Sequence, residues 1–262
     1  MPISNKIPLI AGNWKMFMTI PEAIDLVNGI LSEHLNLQGS EVVVIPPFTA
    51  LRDVIKLAAD TPLQVGAQNL HPEDKGAFTG EVSGPMLRDV GCTYVIVGHS
   101  ERRQLFGDTN AGVNRKLQAA LSQSLLPILC IGETKDEREG NRTLEVIQKQ
   151  LEECLAGLDS SKVNRVIFAY EPIWAIGTGL TASPEQAQDV HAFIRRIIAE
   201  NYGNTTAACA IILYGGSVKP DNAFSLLKEK DINGALVGGA ALKPDSFVEI
   251  IKEAIKAYKE KP

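Results

Sequence analysis

Three side chains of different chemistry stand where short apolar runs end: Glu171 after Val166–Tyr170, His99 after Tyr94–Val97, and Lys15 shortly after Pro8–Ala11. A carboxylate closing an apolar strand must face solvent or a site, so Glu171 reads as a general base or as a rim ion pair. His99 precedes Ser100-Glu101-Arg102 and can open a short helix. The positive end of that helix favours a neutral ring that donates a hydrogen bond. Glu101 reads as a supporting ion-pair partner. Lys15 is a snorkelling surface lysine unless an anion site lies opposite it. Gly215-Gly216-Ser217 and Gly238-Gly239 each precede a helical pattern. Without Cβ atoms, their N–H groups can close on one phosphate. A base, a neutral donor, a cation and a phosphate cradle suit proton abstraction beside a carbonyl in a small phosphorylated sugar. A Schiff-base aldolase is less apt, because it needs a desolvated lysine deep in the site and the sixth strand carries Glu171 instead.

The elements that must position these groups alternate. Strands are expected at Pro8–Ala11, Val42–Ile45, Leu63–Ala67, Tyr94–Val97, Leu126–Ile131, Val166–Tyr170, Ile211–Tyr214 and Ala235–Val237. Their near-continuous apolar character suits parallel strands covered on both faces. Helical spacing joins Ile24, Val27 and Leu31, then Val113, Leu117, Ala120 and Leu121. It recurs in Val190, Ile194, Ile197 and Ile198 behind a Ser183-Pro184 start, and in Phe247 to Tyr258. Weaker helices fit Ala50–Ala59, Met86–Val90, Arg142–Leu155 and Asn222–Leu227. The first strand leads into Gly12-Asn13-Trp14-Lys15 rather than a G-x-G-x-x-G turn, which weakens a dinucleotide fold. Eight strand–helix units favour an α/β (β/α)8 TIM barrel, a single domain over 1–262, with working residues at the C-terminal strand ends. Two connections depart from this rhythm. Gln68–Gly84 is long, polar and glycine-rich, and Pro172–Gly179 is an apolar loop opened by proline and closed by glycine.

The composition is ordinary: 262 residues, 45% hydrophobic and 22% charged, with 26 basic against 31 acidic residues for a net charge of −5. No basic field points to nucleic acid or an anionic membrane. No apolar run is long enough to span a bilayer, and the N-terminus lacks a signal-peptide pattern, so a soluble cytoplasmic protein is expected. Cys92, Cys130, Cys154 and Cys209 form no C-x-x-C pair and are read as buried reduced thiols, with no metal site. His34, His71 and His191 are read as solvated.

Five segments together resemble the triosephosphate isomerase family: Ala-Gly-Asn-Trp-Lys (11–15), Gly-His-Ser-Glu-Arg-Arg (98–103), Cys-Ile-Gly-Glu (130–133), Ala-Tyr-Glu-Pro-Ile-Trp-Ala-Ile-Gly-Thr-Gly (169–179) and Tyr-Gly-Gly-Ser-Val (214–218). The resemblance runs from about Ile7 to Tyr258. It implies interconversion of dihydroxyacetone phosphate and D-glyceraldehyde 3-phosphate in glycolysis and gluconeogenesis, with no cofactor. It implies Glu171 as base, His99 as electrophile, and Lys15 and Asn13 as stabilisers of the enediolate. Gly177, Ser217, Gly238 and Gly239 would contact phosphate. Pro172, Ile173, Trp174, Ala175, Ile176 and Gly177 would belong to a lid over 172–179, with Ile176 and Leu236 clamping Glu171. A homodimer is implied, with the Gln68–Gly84 loop reaching a second subunit and Thr79 near its active site. Leu180, where the family often has lysine, and Phe17, where a polar residue is common, depart from the pattern. Another phosphate-binding barrel enzyme is the nearer alternative, and a sugar-phosphate-binding barrel without catalysis the more distant one. Such a protein would typically have replaced Lys15, His99 or Glu171, and all three are present.

Overall fold

The computed structural model describes residues 6–33, 39–176 and 181–261. Its strands are β1 Leu9–Asn13, β2 Glu41–Ile45, β3 Gln64–Ala67, β4 Tyr94–Val97, β5 Leu126–Ile131, β6 Ile167–Tyr170, β7 Ile211–Tyr214 and β8 Gly234–Val237. They form a closed barrel in chain order, every pair parallel, sealed by Leu9 opposite Gly234 and Ile10 opposite Ala235. The chain is therefore a (β/α)8 barrel.

Strand alternation sorts the core into two layers. Leu9, Ala11, Val43, Ile45, Ile96, Ile128, Ile167 and Leu213 fill the barrel interior. Ile10, Val42, Val44, Val95, Leu129, Phe168 and Ile212 meet the helices outside. At the seam, Gly234 has φ +153°, and a Cβ there would lie 1.9 Å from the Leu9 carbonyl oxygen, so closure of the barrel requires glycine.

The helices are α1 Ile20–Ser32, α2 Leu51–Ala58, α3 Gly84–Val90, α4 Ser100–Leu105, α5 Asn110–Ser122, α6 Lys135–Glu139, α7 Thr143–Cys154, α8 Ser160–Val163, α9 Pro184–Tyr202, α10 Asn204–Cys209, α11 Pro220–Leu227 and α12 Pro244–Lys259. Ser183 caps α9 in a reciprocal box with Gln186, as its sequence implies. The short helices α6, α8 and α10 carry no apolar period and are not evident from spacing. Side-chain caps start α6 and α8, with Thr134 accepting from the Glu137 N–H and Asp159 from the Lys162 N–H.

Two expectations are overturned. Cys209 is exposed, because α10 buries Thr206 and Ala207 instead. His191 is fully buried in α9. It sits one turn from both Ala187 and Ile194, inside the buried stripe, with Nδ1 3.3 Å from the Asp231 carbonyl oxygen. His71 is half-buried against the Phe78 ring, and His34 lies outside the described residues.

Burial pulls the His191 pKa down to about 3. The unfolded chain binds this proton near pH 6.5 and the folded chain does not. Stability from this group is therefore complete above about pH 6.5 and is lost as pH falls towards the folded value, with a slope of up to about 1.4 kcal/mol per pH unit. Urea midpoints measured between about pH 5 and pH 7 should show this slope, and His191→Gln should flatten it.

Candidate active site

At the C-terminal mouth of the barrel lies a cavity of about 560 Å³, lined among others by Asn13, Lys15, His99, Glu101, Glu171, Ile176, Ser217, Leu236, Gly238 and Gly239. The ends of β1, β4, β6, β7 and β8 therefore bring together groups up to 226 positions apart, from Asn13 to Gly239.

Asn13 is the last residue of β1, and its side-chain oxygen accepts the Lys15 N–H at 3.0 Å. Lys15 adopts φ +52°, an uncommon conformation for a residue with a side chain. The Gln68 carboxamide donates to the Lys15 carbonyl at 2.6 Å and to the Ile45 carbonyl at 3.2 Å, tying this bend to β2. Lys15 Nζ meets Glu101 Oε1 at 2.5 Å, the ion pair expected of Glu101. Gln68 was not evident as a site residue, because its partners are backbone atoms far away in the chain.

His99 caps α4, and its Nδ1 accepts the Glu101 N–H at 3.2 Å. An accepting Nδ1 leaves the proton of a neutral ring on Nε2. That atom lies 3.0 Å from Glu171 Oε1. Glu171 Oε2 accepts the Ser100 N–H at 2.9 Å. Both carboxylate oxygens are thus held, and the group is only 2% exposed.

Two glycines allow the carboxylate this position. A Cβ on Gly132 would lie 1.8 Å from the Glu171 carbonyl oxygen, and one on Gly215 would lie 2.8 Å from Glu171 Cγ. Gly215→Ala should therefore displace the carboxylate and lower kcat roughly tenfold or more while the barrel stays folded. Steady-state kinetics and near-UV circular dichroism would check both halves of that expectation.

The segment after Glu171 is anchored to a second carboxylate. Glu133 is fully buried, and its Oε1 accepts from the Tyr170 hydroxyl at 3.0 Å and from Trp174 Nε1 at 2.8 Å. Its backbone carbonyl accepts the Ile173 N–H at 3.1 Å. Burial pushes the Glu133 carboxyl above its usual range. Ile173–Ala175 form a 3-10 turn behind a buried Pro172. Gly177 and Leu180 lie outside the described residues. Thr79 is exposed on the β3–α3 loop and does not line this cavity. A larger groove of about 760 Å³ lies between that loop and α5, but it gathers no carboxylate–imidazole pair.

A carboxylate facing an imidazole N–H, with an ammonium beside them at the mouth of a closed parallel barrel, places the chain among (β/α)8-barrel proteins built for acid–base chemistry on small anions. A family model described as triosephosphate isomerase matches residues 8–254. The chain belongs to the triosephosphate isomerase family. It is 55% identical to "Triosephosphate isomerase" of Chloroflexus aurantiacus over 94% of this chain and 98% of that protein. It is 56% identical to the protein of the same name from Moorella thermoacetica, over 93% of this chain and 97% of the relative.

Proposed function

We propose that the chain interconverts dihydroxyacetone phosphate and D-glyceraldehyde 3-phosphate by moving a proton between adjacent carbons through an enediolate, in glycolysis and gluconeogenesis in the cytoplasm. The observation that carries this reading is the 3.0 Å approach of His99 Nε2 to Glu171 Oε1 in the cavity that also holds Lys15. A substrate entering between the two groups takes over both contacts. The His99 N–H turns to the carbonyl oxygen, and the Glu171 carboxylate turns to the C–H beside it. As the proton leaves carbon, negative charge grows on oxygen, where the His99 N–H, the Lys15 ammonium and the Asn13 amide stabilise it. Glu171 returns the proton to the neighbouring carbon, while His99 moves a proton between the two oxygens. The net change is a proton transfer, so no redox cofactor takes part.

Backbone N–H groups at Gly177, Ser217, Gly238 and Gly239 hold the phosphate. Ile176 and Leu236 cover the apolar side of Glu171, and 172–179 closes as a lid. A coupled assay in which the aldehyde product is oxidised by a dehydrogenase tests the reading. Purified chain should isomerise dihydroxyacetone phosphate, and an inactive chain would refute it.

The same reading includes a homodimer. Met16, Phe17, Phe78 and Met86 are exposed, an unusual apolar load for a free surface. A cavity of about 460 Å³ beside Met16, Phe17 and Met18 can receive the partner's 68–84 loop, bringing Thr79 of that loop close to Lys15. Deleting residues 72–78 should give monomers of low activity. Analytical ultracentrifugation showing a fully active dimer would contradict the assembly.

A further inference from the structure

The active-site cavity carries two more cations at its rim, Lys219 and Lys243. Neither has a place in the proton transfer described above. Lys219 lies between β7 and α11, and Lys243 between β8 and α12, each as the residue that immediately precedes its helix. The local sequence is the same in both places, Lys-Pro-Asp at 219–221 and at 243–245. Both lysines are exposed, and among the described residues neither lies within ion-pair distance of a carboxylate.

The charge balance of the mouth gives this pair its meaning. The whole chain carries −5, so at a distance it repels a dianion. Inside the cavity, Lys15 is already neutralised by Glu101 at 2.5 Å, and Glu171 adds a negative charge. Among the described residues, the free positive charge of the mouth is that of Lys219 and Lys243. Lysine is also a poor residue for its local position. A residue preceding a helix is favoured when its side chain accepts from the free N–H groups, and a cation there opposes the helix dipole. Asp221 and Asp245 offset the dipole within the first turns but leave the lysine charges unpaired.

We propose that Lys219 and Lys243 form an outer landing pair for the phosphate dianion of the substrate. They draw it to the mouth and pass it inward to the β7 and β8 glycine loops and Lys15. The pair therefore acts on capture rather than on the proton transfer. The proposal rests on the triose phosphate reading above.

The test compares wild type, Lys219→Ser, Lys243→Ser and the double variant. It uses D-glyceraldehyde 3-phosphate and unphosphorylated D-glyceraldehyde across a range of ionic strength. In the double variant, kcat/KM for the phosphorylated substrate should fall roughly tenfold at an ionic strength on the order of 0.01 M. The loss should largely vanish at about 0.3 M, where the Debye length is only a few ångströms. It should lie in kcat/KM rather than kcat, and kcat/KM for the unphosphorylated aldehyde should not move. Tm should rise, because serine caps a helix better than lysine does. An active wild type whose salt dependence is matched by the double variant overturns the landing pair alone. Equal losses on both substrates with a lower Tm also overturn it, by making the lysines structural. A wild-type chain without isomerase activity overturns the functional reading and this proposal with it.

Discussion

Glu171→Gln should lower kcat by about 10²–10⁴-fold, the range expected when a positioned general base is removed. Glu171→Asp should cost about 10²-fold, although the charge is kept, because the carboxylate retreats by roughly an ångström. The structure explains why a small retreat matters. Oε1 and Oε2 are set by His99 Nε2 at 3.0 Å and by the Ser100 N–H at 2.9 Å. The Glu171 backbone is pinned through its N–H to the Ile131 carbonyl at 2.8 Å. The same backbone packs closely against Gly132, where a Cβ would lie 1.8 Å from the Glu171 carbonyl oxygen. KM should change little in both variants, since the base acts on the transition state more than on the bound ground state. Steady-state kinetics in both directions would check this. An unchanged kcat in Glu171→Gln would remove Glu171 from the role of base.

Shortening the proposed lid should change the products as well as the rate. Removing residues 173–177 should leave the barrel and Glu171 in place, yet release methylglyoxal and inorganic phosphate from triose phosphate. An enediolate with a phosphate on the neighbouring carbon expels it when the leaving group is free to turn out of plane in water. A closed site prevents this by holding the phosphate and excluding solvent. The described part of the segment has defined anchors. The first half of the segment is tied to Glu133 through Trp174 Nε1 at 2.8 Å and the Ile173 N–H at 3.1 Å. Arg138 lies over the Trp174 ring at 5.4 Å. Product analysis by NMR decides the matter. Slow isomerisation with no more methylglyoxal than wild type would mean that the segment does not guard the intermediate.

The barrel was legible because each strand is a short, mostly apolar run buried on both faces. The expected and observed strands differ by no more than two residues at either end, the largest shift being the extension of β1 to Asn13. The groups at the strand ends were legible for the same reason, since a polar residue closing such a run has few places to point. What spacing could not show depends on contacts between distant parts of the chain. Gln68 holds the Lys15 carbonyl from 53 residues away, and Glu133 gathers Tyr170 and Trp174 from another strand end. His191 was misread because a histidine within an apolar stripe looks polar in the sequence, while its helical position buries it. The short helices α6 and α8 were lost because capping starts them, with no amphipathic face to mark them.

In the proposed reaction, Glu171 takes a proton from one carbon and returns it to the next. Incubating the purified chain with dihydroxyacetone phosphate in heavy water and following the carbon-bound hydrogens by NMR tests it most directly. Expected are D-glyceraldehyde 3-phosphate with transferred hydrogen in some molecules and solvent deuterium in others at C2, and deuterium entering C1 of the recovered ketone, with product and exchange both lost in Glu171→Gln. No isomerisation by the purified chain, or isomerisation and deuterium uptake undiminished in Glu171→Gln, would contradict it.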